Sequence, residues 1–367
     1  MKLGALGEGP LVDGLRRRFQ PRKDGRVVMA MGDDTAVTTE RPDRVLLATT
    51  DTLVEDVHFA PSYTSPFLLG RKAVSVSLSD IAAMGGEPLF LLASLVVAPD
   101  REKEFIDALY DGMASVMEPH GVELVGGNTC AGDGPMAVTT TVLGEAAAGE
   151  VVYRRGASVG DDVYVTGTPG DSALGLRYLR ELGRAALEAA GPVREAAFRH
   201  LDPTPRVAAG ALLARRRAAT AMIDISDGVL LDLGRLCRES GVGAVVEEGR
   251  FPLSRAMEAH AEAGGETAPL ILAGGEDYEL LFTAPPDKAP MVREIASQTG
   301  LAVRAVGRIV DSREGVAALD RRGRPIEIAQ TGFDHFGSRP LPPCVDLPRK
   351  DVYNYPSNSR RNSGQPS

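Results

Sequence analysis

Residues 65–97 read SPFLLGRKAVSVSLSDIAAMGGEPLFLLASLVV, and how this stretch divides into elements decides the fold. Its first half is ambiguous, because 73–80 (AVSVSLSD) alternates apolar and polar residues as a strand would. Ser65-Pro66 is nevertheless a good helix start. A Ser hydroxyl can accept from the unpaired amides of the first turn, and Pro fits the first helical position. Gly85-Gly86 is an equally good stop. The spacing predicts a helix over 66–84, with Leu69, Ala73, Val76 and Asp80 on one face. The second half, 89–98 (LFLLASLVVA), is apolar throughout and bounded by Pro88 and Pro99. It is about half the roughly 20 residues a membrane-spanning helix needs, so it reads as a buried strand.

Outward from this stretch, strands and helices alternate. Residues 44–50 (RVLLATT) predict a buried strand that ends at Asp51, and 101–119 carry a helical stripe of Phe105, Ile106, Leu109, Met113, Val116 and Met117. That helix stops near Gly121, and a strand over 122–125 runs into Gly126-Gly127-Asn128. Residues 136–143 (MAVTTTVL) alternate like a strand. The polar, glycine-bearing segment 149–160 marks a boundary near residue 150. Beyond it come a strand over 162–166, a turn over 167–170 and a helix that Asp171 or Ser172 can cap. A strand over 221–225 meets Ser226-Asp227-Gly228 and a helix through Cys237, and 278–283 (YELLFT) predict a further strand. The fold class is α+β (mixed α/β) in two domains, 1–150 and 151–336. The stretch 337–367 is rich in Pro, Ser, Asn and Arg with almost no apolar periodicity, so disorder is expected there.

Composition narrows the function. The chain has 367 residues, with Lys plus Arg at 41 against Asp plus Glu at 50, a formal charge of −9. That balance lacks the broad positive field that would attract nucleic acid or an anionic membrane. The amino terminus has no apolar export segment, and three cysteines without paired spacing indicate neither a disulfide framework nor a thiolate metal site. A cytoplasmic protein is expected. There is no G-x-x-x-x-G-K-[ST] loop, strand-flanked G-x-G-x-x-G, G-x-S-x-G or H-E-x-x-H. The five histidines are far apart, and only His58 is placed suggestively.

The acidic surplus is clustered instead. Gly32-Asp33-Asp34, Thr49-Thr50-Asp51-Thr52, Ser79-Asp80, 224–228 (DISDG) and 274–277 (GGED) each set carboxylates beside strands or glycine turns. Any one of these alone reads as an ordinary turn or cap. Five together suggest oxygen ligands for a hard divalent cation such as Mg²⁺. Arg154-Arg155, at the domain junction, suits either a solvated surface or an anion.

In this order the clusters resemble the thiamine-monophosphate kinase family, through GDDTAV (32–37), TTDTLVEDVHF (49–59), KAVSVSLSDIAAMGGEP (72–88), VGGNTC (125–130), RRGASVGDDVYVTGTPGDSALGL (154–176), IDISDG (223–228), LAGGEDYELLFT (272–283) and GFDHF (332–336). The matches cover about residues 5–336. The resemblance implies the two-domain fold shared with aminoimidazole ribonucleotide synthetase, with an N-terminal sheet used for dimerisation and a C-terminal α/β domain. It implies transfer of the ATP γ-phosphoryl group to thiamine monophosphate, in a homodimer with several Mg²⁺ ions. By motif match, Asp51, Asp80 and Asp224 are catalytic, and metal falls to Asp34, Thr49, Thr50, Asp51, Asp80, Asn128, Asp224 and Asp227. ATP falls to Gly127, Asn128, Arg154 and Ser226, and substrate to His58, Glu276 and Phe333. One departure stands out: many members have Asp where this chain has the uncharged Asn128.

Overall fold

The ambiguous stretch is helical. In the computed structural model, which describes residues 14–15, 17–20, 26–29, 37–38, 41, 43–328 and 332–333, helix α1 spans Pro66–Ala83. The Ser65 side chain accepts from the Leu68 amide, and Pro66 takes the first position. The strand-like alternation has a different cause from strand pairing, namely burial on most of the helix surface. Leu69, Val74, Leu78 and Ile81 are buried, and so are Lys72, Ser75, Ser77 and Ser79. Small residues let neighbours come close from several sides. A helix covered all round has no clean polar stripe.

Strands β1 (Val27–Met29) and β2 (Val37–Thr38) form a small antiparallel pair. The first large sheet holds β3 (Arg44–Val54), β4 (Glu87–Val97), β5 (Glu123–Ala131) and β6 (Ala137–Ala147), in the order β3-β6-β4-β5. Only β4 and β5 run parallel, joined through helix α2 (Lys103–His120), which ends at left-handed Gly121. The strand expected to end at Asp51 runs on to Val54, because pairing with β6 persists to Val54↔Ala137. Asp51 therefore sits within the sheet, opposite Thr140.

The second sheet holds β7 (Asp162–Thr166), β8 (Ala221–Asp224), β9 (Gly243–Glu247), β10 (Leu280–Ala284), β11 (Val303–Val310) and β12 (Val316–Leu319), in the order β12-β9-β11-β7-β10-β8. Helices α3 (Asp171–Leu182), α4 (Ala185–Glu188), α5 (Pro192–Leu201), α6 (Val207–Arg215) and α7 (Val229–Ser240) belong to this half. The last predicted strand starts at Leu280 rather than Tyr278, whose left-handed φ of 51° breaks strand geometry. Neither Asp171 nor Ser172 caps α3 with its side chain. The acceptor comes from far along the chain, as Asp277 takes the Gly170 amide at 2.7 Å and the Ser172 amide at 3.1 Å.

One hydrophobic core joins the two halves. Leu69, Val76 and Leu78 of α1 share it with Val138 and Val142 of β6, Val207 and Leu213 of α6, and Met222, Leu280 and Phe282 of the second sheet. Thus α1 is the element both sheets lean on. None of the helices among the described residues is long and apolar enough to cross a membrane.

Candidate active site

Two serines of α1 reach the carboxylates of the two sheets. Ser77 Oγ donates to Asp51 Oδ2 at 2.8 Å, and Ser79 Oγ donates to Asp224 Oδ2 at 2.8 Å. Two steps along a helix turn the side chain by roughly 200°, which is how adjacent serines in the alternation serve elements on different sides. Asp80 follows and accepts from the Thr49 hydroxyl. Three carboxylates, from β3, α1 and the end of β8, are thereby gathered around one helix.

Their electrostatics record the crowding. Burial first, then the Asp80 charge, pushes Asp51 up to about 6 against the pull of its Ser77 bond. Burial raises Asp80 too, opposed by the Thr49 bond and by Arg154. Asp224 lies well above the ordinary range through burial, then Asp80, Asp232 and Asp51. Among the described residues, none of the three forms an ion pair with Lys or Arg, whereas the buried Glu145, Asp232 and Glu279 each do. Hard oxygen donors held close in mutual repulsion fit a divalent cation. Among the described residues no three His, Cys, Asp or Glu side chains converge tightly enough to hold an ion alone. Water and phosphate oxygens would complete such a shell, as Mg²⁺ commonly requires.

The turn after β8 is held by a residue sequence reasoning missed. Asp232, fully buried in α7, accepts the amides of Ser226, Asp227 and Gly228 at 3.2, 3.0 and 3.1 Å. Burial pushes it up to about 6 despite these bonds. Arg235 Nη1 then bridges Asp232 Oδ1 and Asp227 Oδ2, each at 2.6 Å. The only sequence signal was an Asp four residues beyond the Ser-Asp-Gly turn. Phe333 is brought to the same turn, its amide donating to the Asp227 carbonyl at 2.9 Å with its ring part-exposed.

A second group forms around the start of α1. His58 Nδ1 accepts the Val54 amide at 3.1 Å, which leaves the proton of the neutral ring on Nε2. Lys72 Nζ lies 2.9 Å from Glu276 Oε1 and donates to the His58 carbonyl at 3.3 Å. Glu276 Oε2 is 3.4 Å from His200 Nδ1, which is 3.0 Å from Ser172 Oγ. Burial works against the Glu276 carboxylate, yet the Lys72 ammonium holds it below its ordinary range. His200 is pushed down to about 3 by burial and then by Lys72, so it is neutral at physiological pH. Glu276 and Tyr278 are both left-handed, at φ 63° and 51°, and their amides bond to the Ser226 and Ile225 carbonyls at 2.7 and 2.8 Å. Such strain in non-glycine residues concentrates at functional sites.

Other expected residues are placed apart. Thr50 faces the side of the sheet opposite Asp51, its hydroxyl 3.0 Å from Thr141 Oγ1. Asn128 shares that outer side, in register with Ser94, which pairs with Thr139 and so aligns with Thr52. Gly127 is required by close approach, since a Cβ there would meet the Ala93 carbonyl oxygen at 1.9 Å. Arg154 is exposed, its carbonyl accepting from Ser240 Oγ at 2.9 Å and its charge felt at Asp80. Asp34 lies outside the described residues, as do Asp334–Phe336 and the tail. A cavity of about 430 Å³ is bounded by Thr168, Asp171, Arg199, Arg206 and Glu279 rather than by any of the site residues. Its charges are internally matched, with Arg199 Nη2 2.6 Å from Glu279 Oε1 and Arg206 Nε 2.7 Å from Glu279 Oε2.

Comparison with known proteins places this arrangement. Residues 32–146 match the N-terminal domain, and 158–320 the C-terminal domain, of AIR synthase related proteins. The chain is 37% identical over 336 residues to the thiamine-monophosphate kinase of Salmonella typhimurium, covering 91% of this chain and 99% of that protein. It is similar to the crystal structure of thiamine-monophosphate kinase from Stenotrophomonas maltophilia, with a TM-score of 0.76 and 34% identity over 86% of this chain and 96% of that one. AaThiL, solved in complex with AMPPCP and TMP, matches with a TM-score of 0.71 and 34% identity over 92% of this chain and 99% of that one. The two domain matches, the full-length identity and the shared architecture together establish that this chain belongs to the thiamine-monophosphate kinase family of AIR synthase related proteins.

Proposed function

We propose that this protein transfers the γ-phosphoryl group of ATP to thiamine monophosphate, giving thiamine diphosphate and ADP. The observation that carries the reading is the gathering of Asp51, Asp80 and Asp224, without cationic partners among the described residues, beside the Lys72–Glu276–His58 group. The acceptor phosphate is largely ionised near neutral pH, so its attack needs no general base. The site agrees, since its buried histidine, His200, is far too weak a base at about 3. The obstacle is the repulsion between two polyanions. Bound Mg²⁺ would neutralise that charge and align the phosphates for in-line transfer.

Asp51, Asp80 and Asp224 would hold the metal, with Thr49, Asp227 and Asp34 contributing directly or through water, whereas the Thr50 and Asn128 side chains stand on the other side of the sheet from Asp51. Gly127, Asn128, Arg154 and Ser226 would contact ATP, and His58, Glu276 and Phe333 the thiamine monophosphate. A homodimer through the outer side of the first sheet belongs to the same reading. Leu46 is 58% exposed on that side, and Leu89, Leu92 and Leu143 form a small apolar patch with Phe90 and Val125. Purified protein given ATP, Mg²⁺ and thiamine monophosphate should yield thiamine diphosphate by chromatography, and none once Mg²⁺ is chelated. ADP without thiamine diphosphate would point instead to a synthetase acting on another small molecule.

A further inference from the structure

We infer that Lys72 is a positioning residue for the phosphate acceptor, its buried ammonium tying the His58 segment of the first sheet to the Glu276 carboxylate of the second half. Lys72 is fully buried, one of the largest side chains so placed among the described residues. A lysine in such a place is stable only if paired, and the contacts that meet it are Glu276 Oε1 at 2.9 Å and the His58 carbonyl at 3.3 Å. Both partners belong to residues assigned above to thiamine monophosphate, and the inference rests on that reading.

The geometry gives Lys72 two tasks. It stands on α1, between a segment following β3 and a loop preceding β10, so one cation fixes the separation of two substrate-facing groups from different halves. It also anchors a carboxylate whose backbone is left-handed, at φ 63°, a conformation that persists only where surrounding contacts hold it. Glu276 keeps 22% of its side chain exposed beside a lysine at 1%, so the glutamate side chain can meet a ligand while the ammonium cannot. Lys72 is therefore not a group that touches substrate. It sets where Glu276 and His58 stand.

The test is steady-state kinetics of the full chain with Lys72→Met, Glu276→Gln and the double variant, varying thiamine monophosphate and ATP separately. Lys72→Met should raise KM for thiamine monophosphate at least tenfold and leave KM for ATP within twofold. In the double variant, KM for thiamine monophosphate should stay within twofold of that of Glu276→Gln, because Lys72 acts through the ion pair. The double variant buries no uncompensated charge, so this comparison survives if Lys72→Met alone fails to fold. An unchanged KM for thiamine monophosphate in Lys72→Met, a parallel rise in KM for ATP, or multiplying effects in the double variant would overturn the assignment. Thiamine diphosphate formation by the wild type confines such a failure to Lys72, whereas a wild type that forms none overturns the functional reading as well.

Discussion

Asp51 carries its charge against burial and against Asp80, and it would hold the cation that aligns the phosphates. Asp51→Asn keeps the shape and can still accept from Ser77, but it removes the charge proposed to hold the metal. Its kcat should fall about 10²–10³-fold, the scale seen when one electrostatic contact to a transition state is lost. Calorimetric titration should show that ATP still binds. Phe333, anchored by its amide to the Asp227 carbonyl, is one of the proposed contacts of thiamine monophosphate, so Phe333→Ala should raise KM for that substrate several-fold with kcat little changed. Equal losses in both parameters would place the ring in the chemical step instead. The residues whose roles were invisible in the sequence, Lys72, Asp232 and Asp277, share a cause. Each is a charged side chain whose partners lie far along the chain or on backbone amides, and neither periodicity nor motif spacing encodes such pairings.

At the scale of elements, helix α1 was legible from its cap and stop residues, although its alternation argued for a strand. The alternation has a use that only the assembled structure reveals, because Ser77 and Ser79 face carboxylates on different sheets. Boundaries fared worse where tertiary contacts override local signals, as with β3 running through Asp51 and α3 capped by Asp277. That cap is pH-sensitive. Burial raises Asp277 from 3.8 to about 8, so the folded state retains a proton that the unfolded chain releases above about 4. Stability from this group is greatest at low pH and falls as pH rises through about 8. Urea unfolding at pH 6 and pH 8 should show a lower midpoint at pH 8, and Asp277→Asn should flatten that difference. Packing of α1 on α2 gives a second check, since a Cβ on Gly112 would meet the Phe67 carbonyl oxygen at 2.0 Å, whereas one on Gly134 meets nothing within 4 Å. Gly112→Ala should cost about 1–3 kcal/mol in thermal unfolding, with Gly134→Ala close to neutral.

For the whole molecule, the charge of −9 takes on a location. A part of the acidic surplus is gathered where both sheets meet α1, where a bound cation, as proposed, would let an acidic protein handle polyphosphates. The two-sheet plan followed from alternating strand and helix signals, whereas the joining of both halves by one core around α1 could not. Leu46, 58% exposed on the outer side of the first sheet, lies on the face proposed to self-associate, so Leu46→Arg should shift the protein from dimer to monomer in light scattering. Unchanged mass would exclude that face. Direct phosphoryl transfer between two phosphates can be followed with γ-³²P-labelled ATP, thiamine monophosphate and Mg²⁺. The label should pass into thiamine diphosphate in equal amount to the ADP formed; label accumulating as inorganic phosphate, or remaining in ATP, would rule direct transfer out.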